Sequence, residues 1–573
     1  MKTHPLPQTA APATLQTVLD QLAGAGGLSD TRKRDLRSAV SSFAKLQDQP
    51  PGAIPVDLGA IRRTLDGTVA AWAKVSPKRW ANLRSDLAAA IQASGLRPML
   101  RTGELRLDDV WSSLLALADP RIRHGLSRFS RWASQRRIAP EAVDAATIER
   151  FVAELDAATL IRNLRHLPRT VAKAWNGLVA LHNGAGLRPI AVPAIGRTLI
   201  RVPWDRLPES FRGDVERYLT WASVPDPLQE GARARALAPR TLRLQQAHIH
   251  SAVTAAAAAG VPLKQLASLA SLVELETFRA LMRYRWQEDG RKLSAYTHGL
   301  AVTLIAIASE WVKAPVDAIA ALKALRGKLG RLPSGLTDKN QTLLRTFDDH
   351  RLLMALVELP DRLWNAARRG LAASQSPFID LQSALAIDLL IHVPLRMHNL
   401  AALDFVRHLH WPQGPRRPAL VTFGSDETKN DARLEFEIPT VLADRLLAFR
   451  NEIAPAVIGE RPNVVFVTRT GKPRSQAALM VAIEKTVLRH LGVKITPHQF
   501  RHLAAKMELD LNPGAYELVR QLLGHTSQKT TTAFYAGVNT RRAGRAHADL
   551  VMKLRESKLG RRQHRRAARA RAD

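Results

Sequence analysis

Thr496–His502 reads TPHQFRH, and Leu522–Gly537 reads LLGHTSQKTTTAFYAG. Thr496 fits a helix N-cap, Pro497 the first helical position, and Gln499, three residues after the cap, completes a capping box. A helix therefore starts here. His498 and Arg501 are three apart and share one of its faces. A proton-transfer group beside a permanent cation, at the positive end of a helix, makes a place for an anion. Gly524 fits the C-cap of a helix over Tyr516–Leu523, and His525 follows on the turn. Tyr535 comes ten residues later in a Thr-rich segment, and it is one of only five tyrosines in the chain.

The composition agrees with an anionic partner. Lys and Arg total 84 against 51 Asp and Glu, a net charge of +33. An excess of this size points to a polyanion, most often nucleic acid. Hydrophobic residues make up 46% of the chain, which excludes wholesale disorder. The absence of cysteine excludes disulfides, thiolate metal sites, iron–sulfur clusters and cysteine nucleophiles. No apolar run reaches the roughly 18 residues of a spanning helix. The longest candidate, near Leu300–Val312, carries Ser309 and Glu310. The first residues, MKTHPLPQTAAPATLQTVLDQL, lack the apolar core of a signal peptide. These features together predict a cytoplasmic, DNA-facing protein without a membrane partner. A length of 573 residues predicts three or four domains.

Most of the first 340 residues or so have helical spacing, and a faint repeat runs through them. TRKRDLRSAVSSFAKL begins at Thr31, PRIRHGLSRFSRWASQ at Pro120, and PRTLRLQQAHIHSAVTAAAA at Pro239. Each is followed by a second helical segment (DLGAIRRTL, DAATIERFVAEL, SLVELETFRALM) and then by a third. In the second copy Ile122, Leu126, Phe129 and Trp132 form one apolar face. Trp72, Trp80, Trp132 and Trp175 read as core. Basic residues recur where the copies start (Arg32, Lys33, Arg34; Arg121, Arg123; Arg240, Arg243) and suit salt-dependent phosphate contacts. Pro/Gly-rich linkers are read at about 186–208 and 325–341. Beyond them strand-like runs appear: ALVTFG at Ala419–Gly424, RLEFEIP at Arg433–Pro439 and NVVFVTR at Asn463–Arg469. The expected domains are 1–105, 106–190, 209–325 and 340–556, followed by a basic tail, 557–573.

HQFRH, LLGH and a following tyrosine, in this order, resemble the tyrosine recombinase (phage integrase) family. VFVTRTGKPRSQAAL resembles the segment before the family's HQFRH-like box. HVPLRMHNLAAL, His392–Leu403, resembles its first-arginine box and makes Arg396 the arginine. The strand–turn–strand at 419–439 resembles the hairpin that carries the family's lysine, for which Lys429 is the best candidate; Lys472 and Lys494 stay open as alternatives. The helical copies resemble, more weakly, the family's core-binding domain. The implied fold is mainly α: tandem small helical (SAM-like) DNA-binding domains, then an α+β catalytic domain with a small antiparallel sheet.

The implied reaction is site-specific cleavage and rejoining of double-stranded DNA without a cofactor or metal. Tyr535 is the nucleophile, forming a 3′-phosphotyrosyl link. Arg396 and Arg501 stabilise charge on the phosphorus. His498 is the general base, Lys429 the general acid, and His525 donates to a phosphate oxygen. The family also implies Holliday-junction exchange by a homo-oligomer on DNA, a tetramer, in integration or transposition, with partner recombinases in some cases. Three features differ from the family pattern. The histidine-to-tyrosine spacing is ten, not nine; Asn399 stands where an acid is usual; and there are three helical copies. His498 and His502 have the spacing of a metal pair, but Arg501 between them opposes a cation. Two other functions fit the same fold: a non-catalytic DNA-binding protein, and a relaxing enzyme like type IB topoisomerases.

Overall fold

The structure is a computed structural model. It describes residues 13–555 except 97–99, 101, 163, 183–185, 194–200, 333–334, 372–376, 429–431, 529–530, 533–534, 536–543, 545–546 and 554. The tail at 557–573 lies outside the described residues. The chain divides into two compact units, one combining Met1–Pro193 with Gly335–Asp573 and the other spanning Ala194–Ser334.

The first unit begins with α1 (Leu15–Gly24), α2 (Asp30–Leu46), α3 (Leu58–Gly67) and α4 (Pro77–Ala93). Ser29, Asp57 and Ser76 cap the last three by accepting hydrogen bonds from free amides of the first turn. Leu36, Val40, Phe43, Leu83, Leu87 and Ile91 form the core between them. Next come α5 (Asp109–Ala116), α6 (Pro120–Gln135), α7 (Ala145–Ala158) and α8 (Leu167–Leu181), with Asp108, Asp119 and Asp144 as caps of α5 to α7. Their core is aromatic. Trp111, Phe129, Trp132, Phe151 and Trp175 meet at centroid distances of 5.2–6.0 Å, in stacked, tilted and edge-on pairs.

The second unit contains α9 (Glu209–Ser223), α10 (Pro239–Ala258), α11 (Leu269–Val273), α12 (Leu275–Glu288), α13 (Ala295–Glu310) and α14 (Val316–Lys328). In the segments read as copies, α2 lies on α4, α6 on α8, and α10 on both α12 and α13. His248 is a core residue of this unit; its Nδ1 lies 2.8 Å from Thr303 Oγ1.

Two sequence expectations change here. Trp72 is not core: it sits in a turn, is 56% exposed, and donates its indole N–H to Gly492 O at 2.7 Å. Trp80, Trp132 and Trp175 are buried. Arg32 is not a free phosphate contact, because its guanidinium pairs with the mostly buried Asp86 at 2.8 Å. Arg121, Arg123, Arg240 and Arg243 are exposed. Arg62 is also committed internally. It is 5% exposed and donates to the backbone oxygens of Asp156 (2.9 Å) and Thr159 (2.7 Å), which ties α3 to the end of α7.

The rest of the first unit opens with α15 (Asp338–Thr346), α16 (His350–Val357), α17 (Leu359–Leu371) and α18 (Pro377–His392). Every residue from Leu381 to Leu390 is buried, so α18 is a central helix packed on all sides. After α19 (Met397–Ala401) comes a sheet of order β1-β2-β3, made of Leu409–His410, Ala419–Phe423 and Leu434–Ile438. Both pairings are antiparallel, with Leu409 opposite Val421 and Val421 opposite Phe436. The expected strand at 463–469 is not one. Val465, Phe466 and Val467 are fully buried, and the backbone there finds scattered partners: Val465 N donates to Leu403 O at 2.9 Å, and Val467 N to Gln382 Oε1 at 2.9 Å. Burial on every side gives the apolar run of a central strand without a ladder. The chain continues through α20 (Thr440–Ala448), a π turn over Phe449–Ile453, α21 (Ala454–Ile458), α22 (Gln476–Leu491), α23 (Pro497–Leu511) and α24 (Tyr516–Leu523). Among the described residues no helix is long and apolar enough to cross a membrane.

Candidate active site

Three helix ends meet around α23. The chain leaves central α18 through Pro394 and presents Arg396 as the N-cap residue of α19. The capping box starts α23, with Thr496 N donating to Gln499 Oε1 at 2.8 Å. Gln499 in turn donates to Asn340 Oδ1 on α15 at 2.9 Å, which fixes the entry of the helix. Gly524 ends α24 in the left-handed conformation (φ +57°). A Cβ there would lie 2.9 Å from Leu434 on β3, so glycine lets the His525 turn approach the hairpin.

Arg501 joins these pieces. It is 5% exposed, and it donates to Pro394 O on one side and Leu523 O on the other. One fork therefore ties α23 to the first-arginine turn and to the end of α24. His525 is oriented by Thr531, whose Oγ1 lies 2.9 Å from its Nδ1, and Arg520 donates to His525 O at 2.8 Å. Tyr535 is 1% exposed, and its phenol oxygen lies 2.8 Å from Nδ1 of His502. The extra residue between His525 and Tyr535 therefore does not take the tyrosine out of the cluster. The His498 and His502 rings meet edge to face, 4.8 Å apart.

The electrostatics are those of clustered positive charge under partial burial. Burial and the neighbouring Arg396 pull the Arg501 guanidinium down to about 10. Burial lowers Arg396 as well. His525 is lowered to about 4 by burial, then by Arg501, Arg396, Arg520 and His498. His502 is lowered to about 4 by burial, then by His498, Arg501 and His525. His498, the solvent-facing member, is also lowered, by partial burial and by Arg501 and Arg396. Burial raises the Tyr535 phenol well above its usual value, with Arg501 opposing. Cations and imidazoles thus perturb one another, and an anion bound among them would raise the guanidinium and imidazole values back toward normal while pushing the Tyr535 phenol further up.

Of the residues read from sequence, Arg396, His498, Arg501, His525 and Tyr535 come together. Lys429 lies outside the described residues. The chain on either side of it closes through Thr428, whose Oγ1 accepts from Ala432 N at 3.0 Å and donates to Ala432 O at 2.8 Å. Of the alternative lysines, Lys494 pairs with Glu484 at 3.4 Å and Lys472 is exposed. Asn399 is buried and donates Nδ2 to Glu427 O at 3.2 Å, linking α19 to the β2–β3 hairpin. A carboxylate could not donate this bond. Sequence reading missed His502 as a neighbour of the tyrosine; its only signal was the four-residue step from His498, which fits a metal pair that Arg501 disfavours and also places both rings on one helix face.

Residues 366–542 match the model of the phage integrase family. No curated protein matches the chain. Among solved structures the chain is similar to the XerH site-specific recombinase bound to difH substrate, at 12% identity and a TM-score of 0.30, over 58% of this chain and 95% of that one. A lambda integrase dimer bound to a COC' core site gives 15% identity and a TM-score of 0.34, over 56% and 94%. The Tn1549 transposon integrase in complex with circular intermediate DNA gives 14% and 0.27, over 45% and 80%. The stretch that matches the phage integrase family contains Arg396, His498, Arg501, His525 and Tyr535.

Proposed function

We propose that this protein is a site-specific DNA recombinase that cleaves and rejoins strands through a 3′-phosphotyrosyl intermediate. The observation that carries this reading is a tyrosine phenol inside a cluster of two guanidiniums and three imidazoles that hold one another's charge down. A scissile phosphodiester brings negative charge that complements this cluster. Arg396 and Arg501 neutralise its non-bridging oxygens as negative charge builds on them, and His525 donates to one of them. The Tyr535 oxygen bonds to phosphorus as the P–O5′ bond breaks. A histidine of α23, His498 by family resemblance, takes the phenol proton, and Lys429 protonates the departing 5′-oxygen. The reverse reaction on a new 5′-hydroxyl rejoins the strand, and the covalent link conserves the bond energy for it.

Exchange of two duplexes needs four such cleavages, so the working form is a homo-tetramer passing through a Holliday junction, as in integration or transposition of a mobile element in a bacterial cytoplasm. Residues 1–105, 106–190 and 209–325 act as helical DNA-gripping modules ahead of the catalytic domain.

The test uses nicked duplexes from the DNA flanking the chain's own coding sequence, in which the cleaved fragment diffuses away. Wild type traps a slow-migrating covalent band on a denaturing gel, whereas Tyr535→Phe binds the same duplex and traps none. Tight binding without a covalent band from wild type would favour a non-catalytic clamp. Site-independent relaxation of supercoils would favour a topoisomerase.

A further inference from the structure

We infer that His502, not His498, takes the proton from the Tyr535 phenol. The inference rests on Tyr535 being the nucleophile. The phenol oxygen is 2.8 Å from His502 Nδ1, within hydrogen-bond range, and the two rings meet at a centroid distance of 5.8 Å and 61°. Tyr535 is 1% exposed and His502 6% exposed, so bulk water cannot take the proton at this point. His498 has a different setting: it faces solvent at the start of α23, with Arg396 and Arg501 acting on it. The two histidines divide the work, His498 toward the phosphate and His502 toward the nucleophile.

The step balances without a further reactant. The phenol O–H bond breaks and its proton moves to Nδ1 of His502, a step that requires the tautomer with its hydrogen on Nε2. The phenolate oxygen bonds to phosphorus, the P–O5′ bond breaks, and the 5′-oxygen receives a proton from the general acid. On rejoining, the imidazolium returns its proton to the tyrosine. A proton acceptor must be neutral beforehand, and burial, then the charges of His498, Arg501 and His525, disfavour the His502 imidazolium. A bound phosphodiester then favours the imidazolium that forms.

His502→Asn separates a base from a simple tether. Asparagine Oδ1 falls near the place of Nδ1, so it keeps the hydrogen bond from the phenol but cannot hold the proton. In single-turnover cleavage of the nicked duplex, His502→Asn should be slower by about 100-fold or more while binding DNA as wild type does. Replacing Tyr535 with difluorotyrosine, a more acidic phenol, should recover most of that loss. The same replacement should recover little in Arg396→Lys, where the defect is on the phosphate. A 5′-bridging phosphorothiolate, whose leaving group needs no acid, should not rescue His502→Asn. A rate within threefold of wild type for His502→Asn overturns the inference, as does rescue by the phosphorothiolate. If His502→Asn does not fold, His502→Ala with added imidazole replaces it; cleavage that rises with imidazole supports the inference, and cleavage indifferent to imidazole overturns it. Absence of a covalent band from wild type is a different failure, because it removes Tyr535 as nucleophile and leaves no proton to assign.

Discussion

Arg501→Lys keeps the charge and loses the fork. In the native protein one guanidinium spans two backbone carbonyls, at Pro394 and Leu523, that belong to different turns of the site. Lysine has one ammonium on a flexible stem and reaches one of them at most. A hydrogen bond from a charged donor contributes about 1.5–3 kcal/mol, and a buried carbonyl left unpaired loses its water without compensation. The expected loss is about 2 kcal/mol, close to thirtyfold in the local opening equilibrium. It should fall on the turn around Pro394 and on the end of α24, and not on the helical modules that precede them. Amide hydrogen exchange of the full chain reads this directly. Protection should drop about thirtyfold in peptides covering 393–400 and 520–526 and stay unchanged in peptides from α2 to α8. Cleavage should fall with it, since the turn bearing Arg396 is no longer held against α23. Protection within threefold of wild type in both turns would refute the reasoning, because Arg501 would then serve the phosphate alone.

DNA binding should take up protons in mild acid. His502 and His525 are held near 4, below the 6.5 of a free histidine, by burial and surrounding positive charge. A bound phosphodiester raises both, so between about pH 4 and 6.5 the complex carries more protons than the free protein, and binding tightens as pH falls through that window. Calorimetry of a short duplex near pH 5.5, in buffers of different ionisation enthalpy, measures the uptake; a proton-neutral result contradicts the charge balance described. Asn399→Asp restores the acid usual in the family yet should destabilise this protein by about 1–3 kcal/mol at neutral pH, because the donor to Glu427 O is gone. The deficit should shrink in acid, where the protonated carboxyl can donate, and urea melts at two pH values would show whether it does.

What the sequence revealed was local. The start of α23 was legible because the capping box lies within four residues, and the end of α24 because Gly524 marks it. The helices of the first 340 residues were legible because core positions repeat at helical spacing. The run at 463–469 misled because full burial removes the alternation that distinguishes a paired strand from a buried coil. Trp72 misled in the opposite way: an aromatic residue among alanines reads as core, yet it sits on a turn against Gly492. His502 and Tyr535 lie 33 residues apart, and no periodicity connects them. The family resemblance directed attention to His498, whose neighbour on the next turn holds the phenol.

The Trp72–Gly492 hydrogen bond spans 420 residues of sequence. A ribosome adding about 5–20 residues per second needs about 20–80 s to make the partner after the tryptophan has emerged. Residues 13–193 have two hydrophobic cores of their own and can fold while they wait. Trp72 then stands as an uncovered docking point through the whole synthesis of Ala194–Ser334, and the unit that contains it closes only when α22 has left the ribosome. A stall or truncation before Gly492 therefore releases a folded fragment whose indole N–H has lost its partner carbonyl.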